Sequence, residues 1–172
     1  MYELFLKEVV RDMTQKAGQK CTAIRRVLVP QEWFSSVRED LVELLGAVRV
    51  GDPKEEDTRM GPLASREQLA DVREGARRLG GKQVFGRTGP LGSKGFFISP
   101  LLVEDPAPLV HEHEVFGPVA SLIRFSENPH EIVARGNGGL VSSIYSDDHE
   151  FIEALVDGLR PYHGRLDLLG GA

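Results

Sequence analysis

The sequence has little of several features that mark particular protein classes. It contains one cysteine in 172 residues, which excludes an internal disulfide framework and suits a reducing compartment. The net charge is −5 with no basic stripe, so nucleic acid binding is not expected. No apolar run approaches the roughly 20 residues that cross a bilayer, and the opening MYELFLKEVV carries acids where a signal peptide carries lysines. We expect a soluble, cytoplasmic protein with neither nucleic acid nor membrane as a partner.

The chain does contain an alternation of helical and strand patterns, at a length that fits one domain. Apolar spacing predicts helices over 2–16, 34–45, 65–79, 128–135 and 147–159. Strands are predicted over 23–29, 83–85, 96–98, 101–103, 119–125 and 140–145, with a loop over 51–65. This alternation predicts a three-layer α/β/α sandwich with a largely parallel sheet. The expected sheet core contains Ile24, Val27, Val29, Leu122, Ile123 and Ile144.

Two helix starts carry recognisable caps. Ser65 followed by Gln68 predicts a capping box, in which each side chain bonds to the backbone of the other residue. Asp147 is the predicted cap of the last helix, because an aspartate accepts hydrogen bonds from the unpaired amides of a first turn.

The single cysteine lies in GQKCTAIR, residues 18–25. Neighbouring cations, Lys20 above all, favour the thiolate, which is the nucleophilic form of Cys21. A small cysteine also packs well as a buried filler at the start of a strand. The residues alone leave both interpretations open.

Other candidate sites are weaker. His111 and His113 in HEHE would share a strand face, but two imidazoles without a third ligand make a poor zinc site, so no metal is expected. The glycine-rich 86–95 lacks a phosphate-binding pattern. EVFGPV joins the Glu114 carboxylate to the Phe116 ring. These side chains suit ribose hydroxyls and a flat cofactor, although a structural turn explains them equally well.

Taken in order, these motifs resemble the aldehyde dehydrogenase superfamily. GQKC resembles its GQxC nucleophile motif, and EVFGPV resembles its E-[IV]-FGP cofactor motif. GDPKEEDTRMGPLAS, GFFISPLLVED and NGGLVSSIYSDD are similar to further family segments, the last with one residue missing before Gly139. AGQKCTAIRRVLVP and HGRLDLL are most similar to the aldehyde dehydrogenase domain of bifunctional phenylacetate-degradation enzymes.

The resemblance implies oxidation of an aldehyde to a carboxylic acid with NAD or NADP, through a thiohemiacetal and a thioester on Cys21. The aldehyde class includes the CoA-linked semialdehydes of phenylacetate degradation. Glu114 matches the family residue that holds the nicotinamide ribose, and Phe116 matches the ring beside it. Gln68 falls where some relatives contact the adenosine end of the cofactor.

Residues 1–172 are expected to be a partial catalytic domain. The family's dinucleotide-binding domain, its oxyanion asparagine and its ELGG segment with the general-base glutamate have no counterpart in this sequence. We therefore expect the isolated chain to be inactive and the missing domain to be its partner, within a homo-oligomeric parent enzyme. The alternative is a non-catalytic α/β binding or assembly module that retains the fold.

Overall fold

A computed structural model describes residues 1–89, 91–92 and 94–170. The helices are α1 (Tyr2–Thr14), α2 (Phe34–Gly46), α3 (Arg66–Leu79), α4 (His130–Ala134) and α5 (His149–Leu159). The strands are β1 (Arg26–Pro30), β2 (Lys82–Phe85), β3 (Leu101–Glu104), β4 (Val119–Phe125), β5 (Gly139–Tyr145) and β6 (His163–Leu169). Within the described part of the chain, no helix combines the length and the apolar character needed to span a bilayer.

The strands form two sheets. The larger sheet has the order β1-β4-β3-β2, in which β1, β4 and β3 are mutually parallel and β2 is antiparallel to β3. The smaller sheet pairs β5 with β6 in parallel. The prediction of a largely parallel α/β fold is confirmed, with the parallel strands divided between two sheets.

Helices cover both faces of the larger sheet. Successive side chains of a strand point to opposite faces, so Leu102 and Leu122 pack with α1 and α2, while Leu101 and Val119 pack with α3. This alternation produces the three layers that the sequence predicts. The first core also contains Val9, Met13, Val37 and Leu41, and the second contains Val72 and Leu79.

The predicted core is only partly correct. Val27, Val29 and Leu122 are buried as expected, but Ile24 and Ile123 are half-buried at the margins of their cores. Ile144 is buried in a separate cluster beneath α5, on the smaller sheet. The sequence pattern does not distinguish one sheet from two, because each strand alternates in the same way in both cases.

Two local predictions were wrong, and a third was correct in type but too long. Residues 96–98 are not a strand, because the Phe96 carbonyl accepts a hydrogen bond from the Leu63 amide of a loop at 2.9 Å. The helix predicted over 128–135 shortens to α4, which follows Pro129. The cap of α5 is Asp148, whose carboxylate accepts from the Phe151 amide at 3.1 Å, and not Asp147.

A large cleft separates the two sheets. It has a volume of 1750 Å³ and is lined by all of β1 and β5. At the start of β1, Arg26 donates to the carbonyl oxygens of Ile132 and Val133, which precede β5. The cleft continues from this strand edge to the loop that carries Cys21.

Candidate active site

The backbone of the cysteine turn (residues 15–22) adopts an unusual conformation. Lys16, Ala17 and Gly18 all have left-handed backbones, with φ values of 53°, 53° and 66°. Residues other than glycine rarely adopt this conformation, so the surrounding structure must hold it in place. A Cβ on Gly18 would lie 2.2 Å from the Gly117 carbonyl oxygen. Glycine is therefore required where the turn meets the EVFGP segment (residues 114–118).

Asp12 of α1 accepts hydrogen bonds from residues on both sides of Cys21. Its Oδ1 accepts from Lys20 Nζ at 2.6 Å, and its Oδ2 accepts from the Ile24 amide at 2.7 Å. Lys20 also donates to Gln15 Oε1 at 2.9 Å. The Lys20 ammonium is thus bound to side chains at the end of α1. The position of Lys20 next to Cys21 in the sequence does not predict this pairing.

The Cys21 side chain is exposed. It lines the same cleft as Glu114 and Phe116, although Glu114 lies 93 positions after Cys21 in the sequence. An exposed cysteine that lines a cleft is incompatible with the interpretation of Cys21 as a buried filler.

Glu114 and Phe116 are both open to solvent. The Glu114 side chain is 56% exposed, and its Oε1 accepts from Arg25 Nε at 3.1 Å. Phe116 is 37% exposed, which is unusual for a large apolar side chain, and the Arg25 guanidinium lies 5.5 Å from its ring centroid. A flat apolar surface and a hydrogen-bond acceptor therefore lie side by side.

Gln68 supports the EVFGP segment from α3. Its Nε2 donates to the Phe116 carbonyl oxygen at 2.8 Å, and its backbone amide donates to Ser65 Oγ at 3.1 Å. The predicted capping box is therefore half correct, because the glutamine side chain contacts Phe116 and not the Ser65 amide. Gln68 does not line the cleft.

The sequence does not indicate the roles of two polar residues of this region, Asp12 and Arg25. Asp12 lies in the last turn of the amphipathic helix α1, and nothing in the apolar pattern connects it to the cysteine turn. Arg25 bonds to Glu114, whereas its sequence neighbour Arg26 bonds to α4, on the side of β5. The alternation of side chains along a strand is the one signal that separates the two arginines.

His111 contacts the Arg26 side chain. Its Nδ1 lies 3.1 Å from Arg26 Nη1, and burial, with Arg26 as a second cause, lowers the pKa of His111. This nitrogen therefore accepts a hydrogen bond from the guanidinium. The described ranges contain no group of three metal-binding side chains.

Comparison with known proteins places this chain in a family. The sequence profile of the aldehyde dehydrogenase family matches residues 2–161. A 3,4-dehydroadipyl-CoA semialdehyde dehydrogenase of Aromatoleum evansii is 37% identical, over 99% of this chain and 36% of its own length. An aldehyde dehydrogenase family 7 member A1 of Pisum sativum is 36% identical, over 76% of this chain and 27% of its own length.

Solved structures have the same fold. The lactaldehyde dehydrogenase of Escherichia coli superimposes with a TM-score of 0.89 at 27% identity, over 99% of this chain and 37% of that one. The P449M mutant of the betaine aldehyde dehydrogenase of Staphylococcus aureus, solved with NAD+, superimposes with a TM-score of 0.89 at 21% identity. The match covers 97% of this chain and 36% of that one. The chain spans about a third of the length of these proteins. On the profile match and the shared fold, the chain belongs to the aldehyde dehydrogenase family.

Proposed function

We propose that this chain supplies the nucleophile and part of the cofactor site for NAD(P)-dependent oxidation of an aldehyde. The observation that carries the proposal is that exposed Cys21 lines one cleft with Glu114 and Phe116. The family and its fold support the same reaction class. The roles of the three residues are our assignments.

Cys21 would begin the reaction as a thiolate. Its sulfur attacks the aldehyde carbon, a carbon–sulfur bond forms, and the carbonyl electron pair moves to oxygen to give a thiohemiacetal. Backbone N–H groups are suitable donors to this oxyanion, and the Cys21 amide is our candidate. Loss of hydride from the same carbon gives a thioester, and water then releases the carboxylic acid and the free thiol.

Glu114 and Phe116 fit a nicotinamide nucleotide. The Glu114 carboxylate can accept hydrogen bonds from ribose hydroxyls, and the exposed Phe116 ring offers a flat apolar surface to a nicotinamide. NAD+ or NADP+, when bound, accepts the hydride. We assign Gln68 an indirect role, because its side chain fixes the Phe116 carbonyl and does not line the cleft.

The remaining parts of the site would come from outside these 172 residues. Relatives of this chain are about three times as long, and the sequence contains no dinucleotide-binding motif for phosphates. We propose residues 1–172 as part of a catalytic domain that acts with a dinucleotide-binding domain, an oxyanion asparagine and a general-base glutamate. Hydride transfer needs the reacting atoms roughly 3–3.5 Å apart, a geometry that requires the whole cofactor to be held.

The substrate we favour is a CoA-linked semialdehyde. The relative from Aromatoleum evansii, which carries that activity in its name, is 37% identical over nearly the whole chain. The other relatives named above act on different aldehydes or carry no substrate in their names. The proposal of a CoA-linked substrate therefore rests on this one similarity.

A first experiment tests the chain alone. Purified chain mixed with an aldehyde and either NAD+ or NADP+ should give no increase in absorbance of the reduced nucleotide. A general base typically contributes ~10²–10⁴-fold, and it is missing together with most of the cofactor site. Production of NADH or NADPH that disappears in Cys21→Ala would contradict the proposal of a partial domain.

A second experiment tests the site itself. In the Aromatoleum evansii enzyme, the segment that matches this chain is replaced by residues 1–172 to give a hybrid enzyme. Oxidation of 3,4-dehydroadipyl-CoA semialdehyde by the hybrid is then measured. We expect activity that falls to below about one-thousandth in Cys21→Ala, because the nucleophile is removed. Glu114→Gln should raise the KM for the nucleotide. A folded, nucleotide-binding hybrid without activity would favour the non-catalytic module instead.

A further inference from the structure

The Arg25 guanidinium bonds to both the cysteine turn and the EVFGP segment. Nη2 donates to the carbonyl oxygens of Gly18 at 2.9 Å and Lys20 at 3.3 Å. Nη1 donates to the Gly117 carbonyl oxygen, and Nε donates to Glu114 Oε1, both at 3.1 Å. One side chain therefore binds four acceptors that belong to two distant stretches of sequence.

This arrangement depends on the shape of an arginine. The planar guanidinium offers five N–H donors in a fixed fork, whereas a lysine has one ammonium at the end of a flexible chain. The Arg25 side chain is only 18% exposed, and burial lowers its pKa while Glu114 acts in the opposite direction. A charge this well buried is stable only when acceptors surround it, as they do here.

We propose that Arg25 is a positioning residue that couples the cysteine turn to the EVFGP segment and so fixes Cys21 relative to Glu114 and Phe116. The proposal rests on the proposed function, which gives those three residues their roles. Arg25 itself does not touch a reacting atom in this scheme. Its effect passes through the backbone carbonyls of the turn and through the Glu114 carboxylate.

Amide hydrogen exchange of the 172-residue chain tests the coupling. In Arg25→Gln we expect exchange to accelerate about tenfold or more in both residues 18–22 and residues 114–117, because hydrogen bonds to a charged group are lost on both sides. Arg25→Lys should not restore slow exchange in both segments. Glu114→Gln should accelerate exchange in 114–117 and leave 18–22 near wild type, because the three carbonyl contacts of Arg25 remain.

Arg124 provides a matched control. It also forms an ion pair through two N–H groups, with Asp105 at 3.0 and 2.8 Å, and it lies over an aromatic ring, 4.0 Å from the centroid of Phe34. Arg124→Gln therefore removes an ion pair and an aromatic contact at another place, without removing a bond to either site segment. We expect it to leave exchange in both site segments unchanged.

A spectroscopic measurement reports on the sulfur directly. Cys21 is the only cysteine, so a nitroxide label attaches there alone, and its mobility is read by electron paramagnetic resonance. We expect a more mobile label in Arg25→Gln and in Arg25→Lys, and wild-type mobility in Arg124→Gln. A purely global loss of stability would not loosen the label under conditions in which the chain stays folded.

Two results would overturn the proposal. In the first, Arg25→Gln leaves exchange in either segment as slow as in wild type. In the second, exchange accelerates uniformly over the whole chain, which indicates general stability and not coupling. These readouts need neither cofactor nor turnover. If the hybrid enzyme is inactive but Arg25→Gln accelerates exchange in both segments, only the proposed function is contradicted. If the hybrid is active but Arg25→Gln does not accelerate exchange in both segments, only the role of Arg25 is contradicted.

Discussion

A side chain at Gly18 would collide with the backbone of Gly117. A Cβ at Gly18 would lie 2.2 Å from the Gly117 carbonyl oxygen and 2.4 Å from its carbonyl carbon. Since the obstacle is backbone, no side-chain rotation relieves the contact. This approach brings the cysteine turn against the EVFGP segment, and Arg25 then bonds across the junction.

Gly18→Ala should therefore destabilise the chain and open this junction. Its φ of 66° adds strain to the collision, and we expect the free energy of unfolding to fall by about 1–3 kcal/mol, measured by chemical denaturation. Gly46→Ala is the control. Its Cβ would meet only a Phe85 ring carbon at 3.9 Å at the end of α2, so the stability should stay equal or rise slightly. Equal stability of Gly18→Ala and wild type would contradict the close approach.

Cys21 should react with iodoacetamide in the folded chain. The residue is exposed and lines the cleft, and accessible thiolates are the reactive form of cysteine. We expect the alkylation rate, followed by mass spectrometry, to be similar with and without denaturant. Cys21→Ser should take up no label. Alkylation that occurs only in denaturant would contradict the exposed position of the sulfur.

The sequence predicts the elements of the fold well because hydrophobic periodicity is a local property. The heptad-like spacing of Phe34, Val37 and Leu41 is sufficient for α2, and these residues are indeed buried. The separation of the strands into two sheets does not depend on a local property of the sequence. Whether β5 pairs with β1 depends on which strand edges meet, and Val141 and Leu28 look alike as strand residues in both arrangements.

In the candidate site, too, local motifs could be predicted from the sequence and non-local contacts could not. Cys21 and Glu114 were found through a resemblance carried by short motifs, and the structure brings them to one cleft. The residues that hold the motifs together were not found, because Arg25 and Asp12 bind mainly backbone groups and neighbouring side chains. Such contacts depend on three-dimensional approach and leave no spacing pattern in the sequence.

Gln68→Ala should loosen the EVFGP segment. It removes the hydrogen bond from Nε2 to the Phe116 carbonyl oxygen, and we expect the free energy of unfolding to fall by about 0.5–1.5 kcal/mol. Gln83→Ala removes an equivalent bond to the Gly86 carbonyl oxygen at 2.7 Å, away from the site. Only Gln68→Ala should accelerate amide exchange in residues 114–117. Equal local exchange in the two variants would show that Gln68 does not support the segment.

The cap of α5 can be assigned by comparing two neighbouring residues. Asp148→Ala removes the carboxylate that accepts from the Phe151 amide, so we expect a loss of about 0.5–2 kcal/mol in the free energy of unfolding. Asp147→Ala should change stability little, because that side chain is exposed and its nearest cation, the Met1 amino group, is 4.0 Å away. The reverse order of the two losses would restore the cap predicted from the sequence.

Glu104 should make the stability of the chain sensitive to acid. This carboxylate is buried, with Lys82 Nζ 3.0 Å from Oε1 and Arg38 Nη1 3.5 Å from Oε2. The hydrogen bond from Lys82, opposed by burial and assisted by the charges of Lys82 and Arg38, holds the pKa of Glu104 below its ordinary value.

Because the folded-state pKa is lowered, ionised Glu104 stabilises the fold above its unfolded pKa of about 4.3. That stabilisation is lost as the pH falls through the folded-state pKa. At pH 7, Glu104→Gln should lower the free energy of unfolding by about 1–3 kcal/mol, because two cations lose their partner. The difference from wild type should shrink as the pH falls below about 4, as measured by urea denaturation at each pH. Glu74→Gln, which breaks an exposed pair with Arg77, should match wild type at neutral pH. A Glu104→Gln difference that is constant from pH 7 to pH 3 would show that this carboxylate carries no charge-dependent stabilisation.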